Sequence, residues 1–370
     1  MSARFLTVVL ERAFNMRDGF GREIDYMRIS VIDSCNLNCY YCNPCDNNEH
    51  CHALNILSVK EVLCIVRAAT RLGITHFRLT GGEPLLHPQL DEMVLQIKKI
   101  PGVSSVSLTT NAVLLVQHAK WLKEAGIDSI NVSLDTIDAS EYEHITKKPL
   151  FHKVEHGIDA AIECGIRVKI NVVLTPQTDV VALTRYVAKK GTDIRFIEMM
   201  PVGEGHTNGV EPYKKVIGTL SKLYGEPCRI NTEKTKEINS GNDKRKIPDN
   251  GPAEYYIFPE LGIRVGLIQA IHGKFCDTCN RIRVTADGRL MPCLGSSVTM
   301  DLVPDSWDFA DDVEKDFSIV RALRAAIKAK PRCHNFNDNA VTYTKTTETK
   351  TTEIEAAEVN AARNMSRIGG

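Results

Sequence analysis

From Tyr26 to Met200 the chain alternates short apolar runs with amphipathic stretches. The apolar runs at Met27–Ile32, His76–Leu79, Val106–Thr109, Ile130–Leu134, Val168–Leu174 and Ile194–Met199 read as strands. Helical spacing lies between them. It is clearest over Ser58–Leu72, where Val62, Ile65, Val66, Ala69 and Leu72 fall on one face. Ser58 with Glu61 is a capping-box pattern at its start, and Gly73 offers a stop. The helical stretches at Trp121–Ala125 and Val154–Cys164 likewise run into a glycine, Gly126 and Gly165. Six strand–helix units with short connections predict an α/β fold built on a parallel sheet. The periodicity fits an open doubly wound sheet and a partial barrel equally well. In a partial barrel the loops at the strand C-terminal ends would hold the site.

After about residue 205 the pattern changes. Gly241–Gly251 is polar and reads as a surface loop. Two short strands are expected within Tyr255–Ile268, around Pro259–Gly262, and a hairpin over Arg281–Cys293 turning at Asp287-Gly288. Ile319–Lys330 is an amphipathic helix closed by Pro331, and the threonine- and lysine-rich Thr342–Thr352 has the composition of a disordered segment. The expected organisation is a barrel over 20–240, a second region over 251–333 and a flexible tail over 334–370.

Composition narrows the class without choosing a function. Lys+Arg and Asp+Glu are both 46, so the formal charge is zero, which argues against a nucleic-acid binder. No run of eighteen apolar residues suggests a membrane span. The start is interrupted by charge too soon for a secretory signal. Twelve cysteines without such a signal read as metal ligands or free thiols rather than disulfides, and place the protein in a reducing cytoplasm.

Six of those cysteines form two sets. Cys35, Cys39 and Cys42 have the spacing C-x3-C-x2-C, just after the first expected strand. Three thiolates on a short loop can converge on one metal centre, whereas a structural zinc site would normally want a fourth ligand. Cys276, Cys279 and Cys293 have the spacing C-x2-C-x13-C, with the last two at the ends of the expected hairpin. Again there are three ligands; a zinc ribbon completed by His272 or Cys333 is the competing reading. The first run resembles the cluster motif of radical S-adenosylmethionine enzymes. The second, with Asn280-Arg281-Ile282-Arg283, resembles the auxiliary-cluster segment of the GTP 3′,8-cyclase family of molybdenum cofactor biosynthesis. The likeness runs from about Phe20 to Arg332, plus the last six residues, Met365 to Gly370.

The resemblance implies a partial (β/α)6 barrel, two 4Fe–4S clusters, S-adenosylmethionine as cofactor, and conversion of GTP to 3′,8-cyclo-7,8-dihydro-GTP. In that family the auxiliary cluster binds the guanine base through its open iron. By matching position, Tyr41, Gly82 in Thr80-Gly81-Gly82-Glu83-Pro84, Ser133 and Met200 would contact the cofactor. Arg28, Arg78, Thr109, Lys169, Arg281, Ile282 and Arg283 would contact the nucleotide, with Arg28, Gly369 and Gly370 supporting catalysis. The basic set also makes sense by itself, because a triphosphate needs Arg or Lys, and Arg can bind it bidentately. The resemblance further implies an electron donor, a downstream cyclic pyranopterin monophosphate synthase and a homodimer. Other readings are a radical enzyme acting on a peptide or another nucleotide, and a metal-binding homologue that has lost catalysis. The chain departs from the family pattern at His76, where a lysine is usual, and at Ala112, where a glycine is common. Cys45, His50, Cys51 and His52 are additional, and read as free thiols and loop histidines rather than a third metal site.

Overall fold

The computed structural model describes residues 16–42, 54–202, 209–230, 251–296, 298–302, 312–334 and 336. The six expected strands are present as β1 (Tyr26–Ser30), β2 (His76–Thr80), β3 (Ser105–Thr110), β4 (Ser129–Ser133), β5 (Val168–Leu174) and β6 (Asp193–Glu198), each parallel to the next. Helices α1 (Val59–Arg71), α2 (Leu90–Lys98), α3 (Leu115–Glu124), α4 (Ala139–Thr146), α5 (Phe151–Glu163) and α6 (Val180–Lys189) connect them. Ser58 caps α1 with the reciprocal Glu61 bond the sequence predicts. Helix α4 was not legible as a periodic run; Asp138 starts it by accepting from the Glu141 N–H.

The strands are hydrophobic on both faces only in part, because every second residue faces the barrel interior. Met27, Ile29, Phe77, Leu79, Val106, Leu108, Ile130 and Val132 turn outward into the helix layer and are fully buried there. The alternate residues, Tyr26, Arg28, Arg78, Thr109, Asn131, Asn171 and Arg195, turn inward and line one cavity. A lumen this polar has a ligand to hold, since burying such groups is otherwise costly.

The C-terminal region extends the same sheet on both edges. Helix α7 (Gly218–Tyr224) leads to β7 (Cys228–Ile230), β8 (Glu254–Ile257) and β9 (Arg264–Ile268), and β9 lies parallel to β6. Strand β10 (Arg281–Val284) lies parallel to β1 on the other edge, followed by β11 (Arg289–Met291), β12 (Met300–Asp301) and helix α8 (Asp312–Lys328). The order is therefore β12-β11-β10-β1-β2-β3-β4-β5-β6-β9-β8-β7. Strands β10 and β9 flank the six predicted strands, so the parallel array is wider than the strand–helix repeat alone indicated. They do not pair with each other, so the barrel stays open. The hairpin turns as expected, with Gly288 at φ +76°, a conformation that favours glycine. Among the described residues no helix is long and apolar enough to cross a membrane.

Candidate active site

The first cysteine loop follows β1 and is fastened on two sides. Asn38 and Tyr40 donate backbone N–H bonds to Thr146 and Ile145 at the end of α4, at 3.0 and 3.2 Å. On the other side Gly82 N–H reaches Ile32 O at 2.7 Å and Glu83 N–H reaches Ser34 O at 2.8 Å. A Cβ on Gly81 would sit 2.5 Å from Ile32 O, and one on Gly82 2.2 Å from Ser34 O. The paired glycines are thus required for close contact with the cysteine loop itself, while Gly82 also lines the cavity.

Glu83 organises this end of the barrel. Buried, it accepts from Leu85 N–H at 3.0 Å, Thr110 Oγ1–H at 2.7 Å and Asn111 N–H at 2.7 Å. Asn111 in turn directs Nδ2 to Asn36 Oδ1 at 2.7 Å and to Cys35 Sγ at 3.8 Å. Leu37 N–H also points at Cys35 Sγ, at 3.4 Å. Burial pushes the Cys35 thiol up to about 11 and raises Cys39 further. Buried thiolates need a compensating positive charge, which a metal centre in place of the proton would provide. Tyr41 donates to Asp135 Oδ2 at 2.5 Å, and Asp135 Oδ1 accepts from Val173 N–H at 2.7 Å. Burial lifts the Asp135 carboxyl to about 6 and Glu83 to about 7.

The second set is carried by Phe275–Thr278 and the β10–β11 hairpin, and all three of its cysteines face the same cavity as the first three. Arg22 ties this loop to the C-terminal segment. It donates to Cys276 O at 2.7 Å, Arg332 O at 3.0 Å and Pro331 O at 2.6 Å, and pairs with Asp18 at 2.5 Å. Lys330, 3% exposed, donates to Arg281 O and Pro292 O at 2.7 and 2.9 Å. Burial alone would push the Cys279 thiol up, but Lys330 and Arg281 outweigh it and hold it below the ordinary range. His272 is committed to Glu198, and Cys333 is exposed. Among the described residues no three His, Cys, Asp or Glu converge tightly enough for a single metal ion. A 4Fe–4S cluster spreads three thiolates over three irons, and two sets of three thiols with cationic or hydrogen-bonding neighbours fit that donor pattern better than a closed zinc site.

Between the two sets stand the arginines. In register across three strands, Arg283, Arg28 and Arg78 are adjacent. Arg78 Nε donates to Tyr26 Oη at 2.5 Å, and Arg281 lies 5.8 Å from the Tyr26 ring centre. Burial and then the neighbouring Arg283 and Arg78 pull Arg28 well below the usual guanidinium range; burial and Arg281 bring Arg283 down to about 10. For Tyr26, burial would raise the phenol, yet Arg78, Arg28 and Arg281 hold it below its ordinary value. These shifts describe concentrated positive charge that an anion would relieve.

The other expected contacts divide. Tyr41, Gly82, Thr109, Ser133 and Met200 line the cavity, and Thr109 Oγ1 accepts from Arg78 at 3.3 Å. Lys169 is buried with inward parity below Asn171, but is not among the lining residues. The Ile282 side chain alternates away from Arg281 and Arg283 into the core, at 1% exposure. His76 sits at the barrel base, bonded to Ser105 at 2.8 Å and stacked on Tyr26, and does not line the cavity. Ala112 has φ +65°, the conformation for which a glycine is suited. Gly369, Gly370, Cys45, His50, Cys51, His52, Thr342–Thr352 and residues 241–250 lie outside the described residues. Sequence reasoning missed Asn111, Asp135, Arg195 and Lys330, none of which belongs to a spaced motif; the inward parity of Arg195 on β6 was the one available signal.

Comparison with known proteins agrees with this geometry. Residues 29–182 match the Radical SAM superfamily, and residues 192–336 match the family described as Molybdenum Cofactor Synthesis C. The GTP 3′,8-cyclase of Clostridium perfringens strain SM101 is 35% identical over 324 residues, covering 87% of this chain and 95% of that protein. That of Peptoclostridium acidaminophilum is 37% identical over 328 residues, covering 87% and 94%. Among solved structures, Streptococcus suis SuiB has a TM-score of 0.54 at 15% identity, covering 81% of this chain and 65% of that one. That likeness shows the fold alone. The identity and near-complete coverage of the two cyclases, matched by both cysteine sets facing one cavity, place this chain in the GTP 3′,8-cyclase family of the radical SAM superfamily.

Proposed function

We propose that this chain is a radical S-adenosylmethionine enzyme that converts GTP to 3′,8-cyclo-7,8-dihydro-GTP, the first step of molybdenum cofactor biosynthesis. The observation that carries the reading is the cationic wall of Arg28, Arg78, Arg281 and Arg283 facing one cavity between two three-cysteine sets. When bound, the first cluster and the cofactor would supply the radical that takes the ribose 3′ hydrogen and lets the sugar carbon close on guanine C8, and the second cluster would supply the electron that, with a proton, converts the resulting base radical to the dihydro product. The chain's own residues bind and orient. Cys35, Cys39 and Cys42 would hold one cluster, with Tyr41, Gly82, Ser133 and Met200 around the cofactor. Cys276, Cys279 and Cys293 would hold the other. Arg28, Arg78, Arg281 and Arg283 would pair with the triphosphate, with Thr109 as a hydroxyl donor, and Lys169, buried below the cavity, would add positive charge from behind the wall. Ile282, whose side chain is in the core, would serve the site only by holding Arg281 and Arg283 on either side of it, and Gly369 and Gly370 would reach the site from the tail. An electron donor, a homodimer, a downstream cyclic pyranopterin monophosphate synthase and a cytoplasmic location complete the reading.

The test is anaerobic. Protein reconstituted with iron and sulfide is given dithionite and S-adenosylmethionine, and 5′-deoxyadenosine is quantified with GTP, ATP or no nucleotide. Formation with GTP but not ATP supports the cyclase. Equal amounts in all three transfer the radical chemistry to another substrate, and none with any nucleotide removes the enzyme reading. The double variant Arg281→Ala/Arg283→Ala is expected to keep both clusters and lose cyclisation; normal turnover in it would refute the substrate assignment.

A further inference from the structure

Asn131 lies on β4, one inward position before Ser133. Its register neighbours are Thr109 on β3 and Lys169 on β5. It is 4% exposed and lines the cavity, yet its Oδ1 is closed to water with no hydrogen-bond partner among the described residues. Buried amide oxygens are paired in folded proteins, so an unpaired one in a cavity wall is completed by a ligand.

The chemistry of the group selects that ligand. A carboxamide oxygen needs a donor, and an ionised phosphate has none to offer near neutral pH. The phosphates belong instead to the arginines, and Arg78 reaches Thr109, the β3 neighbour of Asn131. The part of a nucleotide that follows its phosphates is the sugar. The proposed reaction begins at a ribose C–H, so the sugar must also lie beside the cofactor, which Ser133 on the same strand would face. A ribose hydroxyl both gives and accepts a hydrogen bond, as a carboxamide does.

We propose that Asn131 binds a ribose hydroxyl of the nucleotide substrate and so fixes the orientation of the sugar in the barrel. The inference rests on the nucleotide reading above. The shared chemistry, a ribose hydroxyl, could also come from the cofactor, and the test separates the two.

Reconstituted protein is dialysed anaerobically against GTP, 2′-deoxy-GTP or 3′-deoxy-GTP without S-adenosylmethionine, and separately against S-adenosylmethionine alone. The wild type is expected to bind GTP about tenfold more tightly than one of the deoxy analogues. Asn131→Ala and the similar-sized Asn131→Leu are expected to bind GTP about tenfold more weakly and to treat it and that analogue alike. Asn131→Ser, which keeps an oxygen acceptor, recovers part of the preference and guards against a folding defect. Cofactor binding stays unchanged in all three. Variants that keep the wild-type preference overturn this inference alone, as do variants that weaken cofactor binding instead. A wild type that binds none of the three nucleotides overturns the nucleotide reading, and this inference falls with it.

Discussion

At the residue scale, two buried carboxylates do different work. Asp18 is fully buried against Arg22. Burial would raise its carboxyl, but the Phe20 N–H and the Arg22 side chain outweigh it, so Asp18 titrates below its ordinary value of 3.8. A depressed carboxylate stabilises the fold above the unfolded value and loses that contribution as pH falls through the folded one. Replacing it should leave Arg22 uncompensated, at a cost of about 3 kcal/mol at neutral pH. In denaturant titrations, Asp18→Asn is expected to trail the wild type by a constant gap from pH 7 to about 4, narrowing only below that. A gap that closes above pH 5 would contradict the pairing. Glu83 instead accepts three donors, two of them backbone N–H groups. Glu83→Gln would turn an amide toward one of them, and a loss of about 1–3 kcal/mol in the cluster-free protein should follow.

At the scale of elements, the contact that matters is between the loop after β2 and the cysteine loop after β1. Gly82→Ala would drive a Cβ into the Ser34 carbonyl, a backbone atom that cannot swing away. The expected outcome is loss of first-site iron with the second site intact, read by iron content and by the electron paramagnetic resonance of the reduced protein. Gly218→Ala is the control. Gly218 is helical, and a Cβ there meets nothing within 4 Å. It should leave both sites untouched and stabilise the protein by about 0.5–1 kcal/mol.

At the scale of the whole molecule, the two cysteine sets sit on separately fastened supports. The first hangs on α4 and the loop after β2. The second hangs on Arg22 and Lys330, which join it to the N-terminal and C-terminal segments. Lys330→Met removes two bonds from a buried ammonium and the charge beside Cys279. It should cost about 2–3 kcal/mol and lower the iron content of the second site selectively. Equal loss from both sites would show that they are not independent.

The local sequence was enough for whatever depends on near neighbours. Strands β1 to β6 were legible as short apolar runs, α1 from its capping box, and the β10–β11 hairpin from Asp287-Gly288, because each element is marked by residues a few positions apart, even where its partner strand is distant. The two cysteine sets were legible for the same reason. Alternation also put Lys169 on the inward face of β5, but not its depth below the cavity. Only the tertiary structure placed β9 and β10 on opposite edges of the barrel sheet, since their partners β6 and β1 are remote in sequence. It alone assembled Arg28, Arg78, Arg281 and Arg283, turned Ile282 into the core, and left Asn131 facing the cavity. A spaced motif is written along the chain, whereas buried charge and an unpaired amide exist only once distant strands enclose them.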